Sequence, residues 1–283
     1  MTTQSKKFSF LLGILLLTLF VLPTSVQAKT MVLIHGYMAD GMSWRTTGVT
    51  KGLMQAGWKD GGSYSFNQTE ILTPINLQAG SDVFFTVDLP SKAPIEVQTR
   101  ILGRYLNHLY AIRDEPFIFV GHSAGGIVGR YYLLIPTHVP ASALITISTP
   151  HLGTPAANIA FSAGNSPLGI MLDALGENDI RNSRGLYADL REAKPNTFLY
   201  WLNQQVHPRI HYVSIIRANK AKTSPNKIDF IVPPKSQNMN NVWALRGQSL
   251  VYLTKENHFL SAKDGPFLVN VLKRISPKQG SFK

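Results

Sequence analysis

Short apolar runs rich in Val, Ile and Phe recur along the chain, and each ends at residues that are common in turns. This is the pattern of strands buried on both faces of a parallel sheet. Six segments fit it: Met31–Ile34, Asp82–Val87, Phe117–Val120, Ala143–Ile147, Ile210–Ile216 and Leu250–Leu253. The pattern therefore predicts a central sheet of about six strands.

Helical patterns separate several of these strands. In Ile95–Ile112 the apolar residues recur with a period near 3.6, which places them on one face of a helix. Ala124–Leu134 and Pro266–Ile275 predict two further helices, and the second has a proline near its start. Alternating strands and helices predict an α/β fold, with a mostly parallel sheet and helices on both faces. In such a fold the functional loops lie at the carboxyl ends of the strands.

Residues 152–207 interrupt this alternation, because they contain no convincing strand. Leu168–Leu175 and Phe198–Leu202 are apolar enough to form half-buried helices. We therefore expect a helical lid or cap inserted over the strand ends. The insertion would belong to a single domain that spans residues 29–283.

The N-terminus has the pattern of an export signal. Lys6 and Lys7 precede an apolar run, Phe10–Leu22, and Val26–Ala28 offers small residues at a cleavage site. An uncleaved anchor is the alternative, but the run has 13 residues and a bilayer core requires roughly 20. Residues 1–28 are thus predicted to be a signal peptide that directs the protein to the periplasm or outside the cell.

Composition excludes several classes of protein. The chain has 283 residues, of which 44% are hydrophobic, so it is not intrinsically disordered. It has no cysteine, which excludes disulfides, thiolate nucleophiles and Cys-ligated metal centres. The net charge of +12 comes from scattered residues without an aromatic-interleaved basic face, so no nucleic-acid partner is expected. A basic surface suits contact with anionic lipid headgroups, or is simply solvated.

The strongest chemical signal is Gly-His-Ser-Ala-Gly at residues 121–125, which lies between a predicted strand and a predicted helix. A turn this tight needs glycines where a Cβ would clash. It projects the hydroxyl of Ser123 at a helix N-terminus, whose partial positive charge favours an oxyanion. Ser123 is therefore the candidate nucleophile.

A serine nucleophile needs a base and an orienting acid, and the expected chain order is Ser, acid, His. His258, after the sixth predicted strand, is the candidate base, with His151 as a weaker alternative that we expect to be a structural hydrogen-bonding residue. Asp229, after the fifth strand, is the candidate acid. Other aspartates compete for this role: Asp88, Asp173, Asp179 and Asp189.

Two backbone N–H groups are needed to bind the oxyanion. One is expected from Ala124, which follows the nucleophile, and the other from the loop after the first strand. In that loop Tyr37 follows Gly36 and is the first candidate, while Met38 is the alternative. His35 is expected to support the loop through hydrogen bonds.

Together these segments resemble the α/β-hydrolase superfamily, and within it the bacterial secreted lipases and esterases, including triacylglycerol lipases. The resemblance spans most of the chain after the signal and is carried by VLIHGY (32–37), FVGHSAGG (119–126), ISTPHLGTP (147–155), DFIVP (229–233) and NHFL (257–260). It implies an α/β-hydrolase fold, a lid after residue 155 and a Ser-His-Asp triad that cleaves acyl esters through an acyl-enzyme. It implies no cofactor, and we find no convincing metal-ligand cluster.

Other functions are compatible with the same residues. An acyltransferase or a thioesterase would use the same triad, because pocket shape and water exclusion select the acceptor. A binding module that kept the fold without catalysis is the alternative from another class. The expected partner is an acyl ester or lipid, with contact to a lipid interface, and no feature of the sequence indicates an oligomeric state.

Overall fold

The computed structural model describes residues 28–67, 70–74, 81–163, 182–218 and 231–275. Three predictions fall wholly or almost wholly outside these ranges: the signal peptide, of which only Ala28 is described, the helix at Leu168–Leu175, and the position of Asp229.

The described residues form an eight-stranded sheet with the order β3-β2-β4-β1-β5-β6-β7-β8. All neighbouring pairs are parallel except β2 and β3, which are antiparallel. The strands are β1 (Thr30–Ile34), β2 (Lys59–Asn67), β3 (Glu70–Leu72), β4 (Val83–Val87), β5 (Phe117–His122), β6 (Ala141–Ile147), β7 (His211–Arg217) and β8 (Ser249–Thr254). The predicted α/β class, with a mostly parallel sheet, is confirmed.

The sheet has two more strands than the sequence pattern predicted. All six predicted strands are present, and the additional pair is the β2–β3 hairpin at one edge. β2 has the sequence KDGGSYSFN and is only partly buried, so it lacks the continuous apolar run of a central strand. β2 lies next to the edge strand β3, and a strand with a partly solvated face carries this weaker signal.

Helices cover both faces of the sheet. Their bounds are α1 (Ser43–Thr46), α2 (Val49–Gln55), α3 (Ile95–Arg113), α4 (Ala124–Tyr132), α5 (Pro155–Ala163), α6 (Arg184–Leu190), α7 (Phe198–Leu202), α8 (Pro234–Gln237) and α9 (Asp264–Ile275). The predicted helices correspond to α3, α4, α7 and α9. α4 ends two residues earlier than predicted, and α9 begins two residues earlier.

The core has two halves, one on each face of the sheet, because alternate residues of a strand point in opposite directions. In β1, Val32 and Ile34 pack with α3 and α4, whereas Met31 and Leu33 pack with α2 and α9. This double-sided burial explains why the central strands read as unbroken apolar runs.

The described parts of residues 152–207 contain α5, α6 and α7 and no strand. α6 contacts both α5 and α7. Near its C-terminal end, Asp189 accepts a hydrogen bond from the backbone N–H of Ile95 at 2.8 Å, which ties this region to the start of α3. Within the described ranges, no helix is both long enough and apolar enough to cross a bilayer.

Candidate active site

Ser123 occupies a sharp turn between β5 and α4. Its backbone has φ 51° and ψ −125°, a conformation that non-glycine residues rarely adopt. The strained turn is held because the Ser123 N–H donates to the carbonyl of Ile147 at 2.9 Å, while the Ser123 carbonyl accepts from Gly126 at 3.1 Å. The side chain is partly exposed, so the hydroxyl stands clear of the sheet edge.

The glycines of this turn are required by close packing. A Cβ on Gly121 would lie 2.4 Å from the Cα of Gly126. A Cβ on Gly125 would lie 2.2 Å from the carbonyl oxygen of His35, at the end of β1. The steric reason that the sequence suggested for the Gly-x-Ser-x-Gly motif therefore holds, and α4 packs directly against the first strand.

His258 lies beside the serine. Its Nε2 is 3.1 Å from Ser123 Oγ, although the two residues are 135 positions apart in the chain. The ring belongs to the segment after β8 and is largely buried, whereas its neighbour Phe259 is exposed. A hydroxyl and an imidazole in this contact form the nucleophile–base pair that serine chemistry requires.

His122, the residue before the serine, holds the backbone of His258. Its Nε2–H donates to the His258 carbonyl oxygen at 2.9 Å. Burial, followed by the positive charge that His258 can carry, lowers the pKa of His122 to about 3. The ring is therefore neutral at physiological pH and serves as a hydrogen-bond donor.

The loop after β1 lies next to the turn. A Cβ on Gly36 would be 2.9 Å from the Cβ of Ser123. Within the described residues, the backbone N–H groups of Tyr37 and Ala124 donate no hydrogen bond. Ala124 is the first residue of α4, where an unpaired N–H is expected, so both amides are available to a ligand.

His35 supports this loop as expected. Its Nδ1–H donates to the carbonyl of Gly36 at 2.9 Å, and its Nε2 accepts from the N–H of Leu89 at 3.0 Å. Burial lowers the pKa of His35. The Tyr37 hydroxyl lies 2.6 Å from that of Tyr187 in α6, which links the loop to the helical region.

Of the five candidate acids, the structure describes two, Asp88 and Asp189. Asp229, Asp173 and Asp179 lie outside the described residues. Asp88 accepts a hydrogen bond from the N–H of Gly41, and Asp189 binds the start of α3. Burial raises the pKa of Asp189 to about 6. Neither described aspartate orients His258 by any contact seen here, and within the described ranges no three side chains converge to hold a metal ion.

A buried polar network escaped the sequence analysis. Arg130 in α4 is fully buried and donates to His207 Nε2 at 3.1 Å, to His151 Nδ1 at 3.3 Å and to the amide oxygen of Asn203. His151 Nε2 is 3.1 Å from the Thr146 hydroxyl. His151 is thus a structural residue, as expected. The placement of an arginine within the apolar helix sequence GGIVGRYY was the only signal of its burial.

Arg217 is a second buried arginine that the sequence analysis assigned to no site. It is the last residue of β7 and is fully buried. Its Nη2 donates to both carboxylate oxygens of Asp264, each at 2.8 Å. An arginine that directly follows an apolar strand gives no indication of its partner, which lies 47 residues away.

Comparison with known proteins agrees with the architecture. A family model described as a PGAP1-like alpha/beta domain matches residues 94–163, which include α3, the Ser123 turn and α5. No curated protein matches the chain.

Several solved structures share the fold at low sequence identity. The lin2722 product of Listeria innocua is 15% identical, with 90% of this chain and 96% of that chain covered and a TM-score of 0.56. The Bacillus licheniformis lipase BlEst2 in its propeptide form is 17% identical, with 91% and 52% covered and a TM-score of 0.60. The esterase EaEST of Exiguobacterium antarcticum is 12% identical, with 88% and 92% covered and a TM-score of 0.52. At these identities the likeness concerns the fold: the chain has an α/β-hydrolase fold.

Proposed function

We propose that the protein is a serine hydrolase that cleaves carboxylic esters, with acyl lipids as the substrate class. One observation carries the proposal: His258 Nε2 lies 3.1 Å from the hydroxyl of Ser123, which is displayed on a strained turn at a helix N-terminus. A strained backbone is typical of turns that carry a catalytic nucleophile, and the surrounding structure must offset the energetic cost of the strain.

In the proposed reaction, Ser123 Oγ attacks the ester carbonyl while His258 Nε2 takes the hydroxyl proton. The carbonyl oxygen becomes an oxyanion, which the N–H groups of Tyr37 and Ala124 bind. The intermediate then collapses: the ester C–O bond breaks, and the leaving alcohol receives the proton from His258. Ser123 is left as an acyl ester. Asp229 is the proposed acid that orients the imidazole and stabilises its charged form.

Water completes the cycle. His258 removes a proton from a water molecule that attacks the acyl-enzyme, and a second tetrahedral intermediate releases the carboxylic acid and restores Ser123. These steps require no cofactor. The buried His122–His258 contact supports them, because a fixed backbone keeps the imidazole in line with the hydroxyl through both proton transfers.

Apolar side chains near the carboxyl ends of the strands support a lipid substrate. Met38 follows β1, Ile231 precedes α8, Ile159 lies in α5 and Phe259 follows His258, and all four are exposed. Such exposed apolar residues are suited to acyl chains or a lipid surface. Residues 152–207 are the proposed lid, and the signal at residues 1–28 is proposed to direct the enzyme out of the cytoplasm.

The test is hydrolysis of p-nitrophenyl esters of increasing acyl length by the purified protein, in parallel with Ser123→Ala. We expect activity that rises toward long chains and falls at least 1,000-fold in the variant, since the nucleophile is lost. Ser65→Ala is the matched control. It removes a serine hydroxyl from β2, three strands away from β5 in the sheet, and should leave the rate unchanged.

Each other result has a defined meaning. Activity restricted to short chains would contradict the lipid substrate and leave an esterase. Ester turnover that transfers the acyl group to an added alcohol in preference to water would identify an acyltransferase. Equal, negligible rates for the wild type and Ser123→Ala on every ester would refute the proposed hydrolase.

A further inference from the structure

The segment that carries His258 has little structure of its own. Residues 255–263 join β8 to α9 and contain no helix or strand. Most of their side chains are exposed or half-buried, and His258 is the buried exception. The Phe259 ring packs edge-on against the imidazole at 5.7 Å between centroids, but it is itself exposed. The position of the segment therefore depends on the points where it is attached.

Arg217 holds both ends of this segment. Its Nη1–H donates to the hydroxyl of Thr254, the last residue of β8, at 2.9 Å. Its Nη2–H donates to both oxygens of Asp264, the first residue of α9, at 2.8 Å. One rigid guanidinium thus fixes the distance between the two residues that flank the His258 segment.

Asp264 also holds a residue within the segment. Its Oδ2 accepts from the backbone N–H of Ser261 at 2.8 Å, and its own N–H donates to the Ser261 carbonyl at 3.0 Å. The side chain therefore closes a tight turn three residues after His258. The Arg217–Asp264 pair is almost fully buried, so solvent does not weaken it.

The backbone of Arg217 is held in place by a hydrogen bond. Its N–H donates to Gln237 Oε1 at 2.8 Å, and the Gln237 amide donates to the carbonyl of Val232 at 2.7 Å. Arg217 is thereby anchored to the sheet and to α8. On the other side of the site, His122 donates a hydrogen bond to the carbonyl oxygen of His258.

We propose that Arg217 and Asp264 are positioning residues that keep the His258 imidazole within hydrogen-bonding distance of Ser123, an inference that rests on the function proposed above. The pair acts on the geometry of the base and does not touch the substrate. A displacement near 1 Å at a reacting group can lower a rate by about 100-fold.

The first variant is Asp264→Asn, which keeps the shape of the side chain and removes its charge. We expect kcat for the preferred ester to fall by about 100-fold with KM within twofold, because substrate binding does not involve the pair. An isolated buried Arg217 also destabilises the fold, so a second variant is needed. Arg217→Met with Asp264→Leu removes both charges and should recover most of the thermal stability.

The double variant separates positioning from folding. We expect its kcat to stay at least 30-fold below the wild type although its melting temperature returns toward the wild-type value. Asp264→Glu, which keeps the ion pair, should recover part of kcat. Lys263→Gln is the matched control, because it removes an exposed ion pair with Glu256 at 2.9 Å in the same segment and should leave kcat unchanged.

Wild-type kcat in the folded double variant would overturn the positioning role and leave the proposed hydrolase intact. Reaction of Ser123 with a fluorophosphonate probe distinguishes the two proposals. If the wild type neither reacts with the probe nor hydrolyses any ester, the proposed function fails, and the positioning role fails with it.

Discussion

Replacing His207 by Gln should make the stability of the folded protein less sensitive to acid. The His207 Nδ1–H donates to the Gln205 carbonyl at 2.7 Å, and its Nε2 accepts from the Nε–H of Arg130 at 3.1 Å. Both ring nitrogens are thus occupied with a single proton on the ring. A second proton, on Nε2, would point at the buried guanidinium of Arg130, so the folded state favours the neutral ring.

The expected magnitude follows from the pKa of this imidazole. Burial, and next the charge of Arg130, lower it from 6.5 to about 4 in the folded state. The unfolded chain takes up a proton below pH 6.5 while the folded chain does not, so the stability present above that pH is lost as the pH falls toward 4. Between pH 7.5 and 5.0 this one residue should cost about 2 kcal/mol of unfolding free energy.

Gln removes the titration and can still offer an amide oxygen to Arg130. The measurement is the free energy of unfolding in urea for both proteins at pH 7.5 and 5.0. Wild type should lose about 2 kcal/mol more than His207→Gln over this range. Asp189 acts in the opposite direction, because its pKa is raised to about 6, but it is common to both proteins and cancels in the difference.

Parallel losses of stability in the two proteins would refute this reasoning, since they would mean that His207 binds protons equally in the folded and unfolded states. The control is His211→Gln. His211 is exposed at the start of β7, and its replacement should leave the acid sensitivity of wild type unchanged.

Two further substitutions test the packing around the site. Gly125→Ala should reduce the yield of folded protein or its stability by several kcal/mol, because its Cβ would lie 2.2 Å from the His35 carbonyl oxygen. Gly103→Ala in α3 is the control: its Cβ would lie 3.5 Å from a ring carbon of Tyr132, an ordinary contact, and the change should be neutral or stabilising by up to about 1 kcal/mol. Equal melting temperatures for the two variants would contradict the packing argument. Tyr37→Phe should lower stability by about 1 kcal/mol through loss of the 2.6 Å contact with Tyr187. Its ester turnover should stay within twofold of the wild type, since the proposed oxyanion donor is the backbone amide, and a large loss of kcat would show that the hydroxyl contributes to the reaction.

The features that the sequence predicted correctly are those with a local cause. Central strands are recognisable because burial on both faces excludes polar residues from them, and α3 because its apolar side has a helical period. The β2–β3 hairpin was missed for the same reason, since β2, with the sequence KDGGSYSFN, is only partly buried and needs no apolar run.

Burial of charged residues could not be predicted in this way. Arg130 and Arg217 were assigned to no site, yet both are fully buried. A charged side chain is tolerated inside a protein only when several polar groups surround it, and these groups come from distant elements. Asn203 is 73 residues from Arg130, and Asp264 is 47 residues from Arg217.

The sequence by itself determined the class of the fold and the turn that displays Ser123, because hydrophobic period and the glycine requirement act over a few residues. Only the tertiary structure brought His258 within 3.1 Å of that serine, and only it joined His122 to the His258 backbone and Arg217 to Asp264. The physical reason is that such contacts depend on which elements the sheet order makes neighbours. β8, which leads to His258, lies three strands away from β5, which leads to Ser123, and no local pattern encodes the way in which the loops beyond these strands meet.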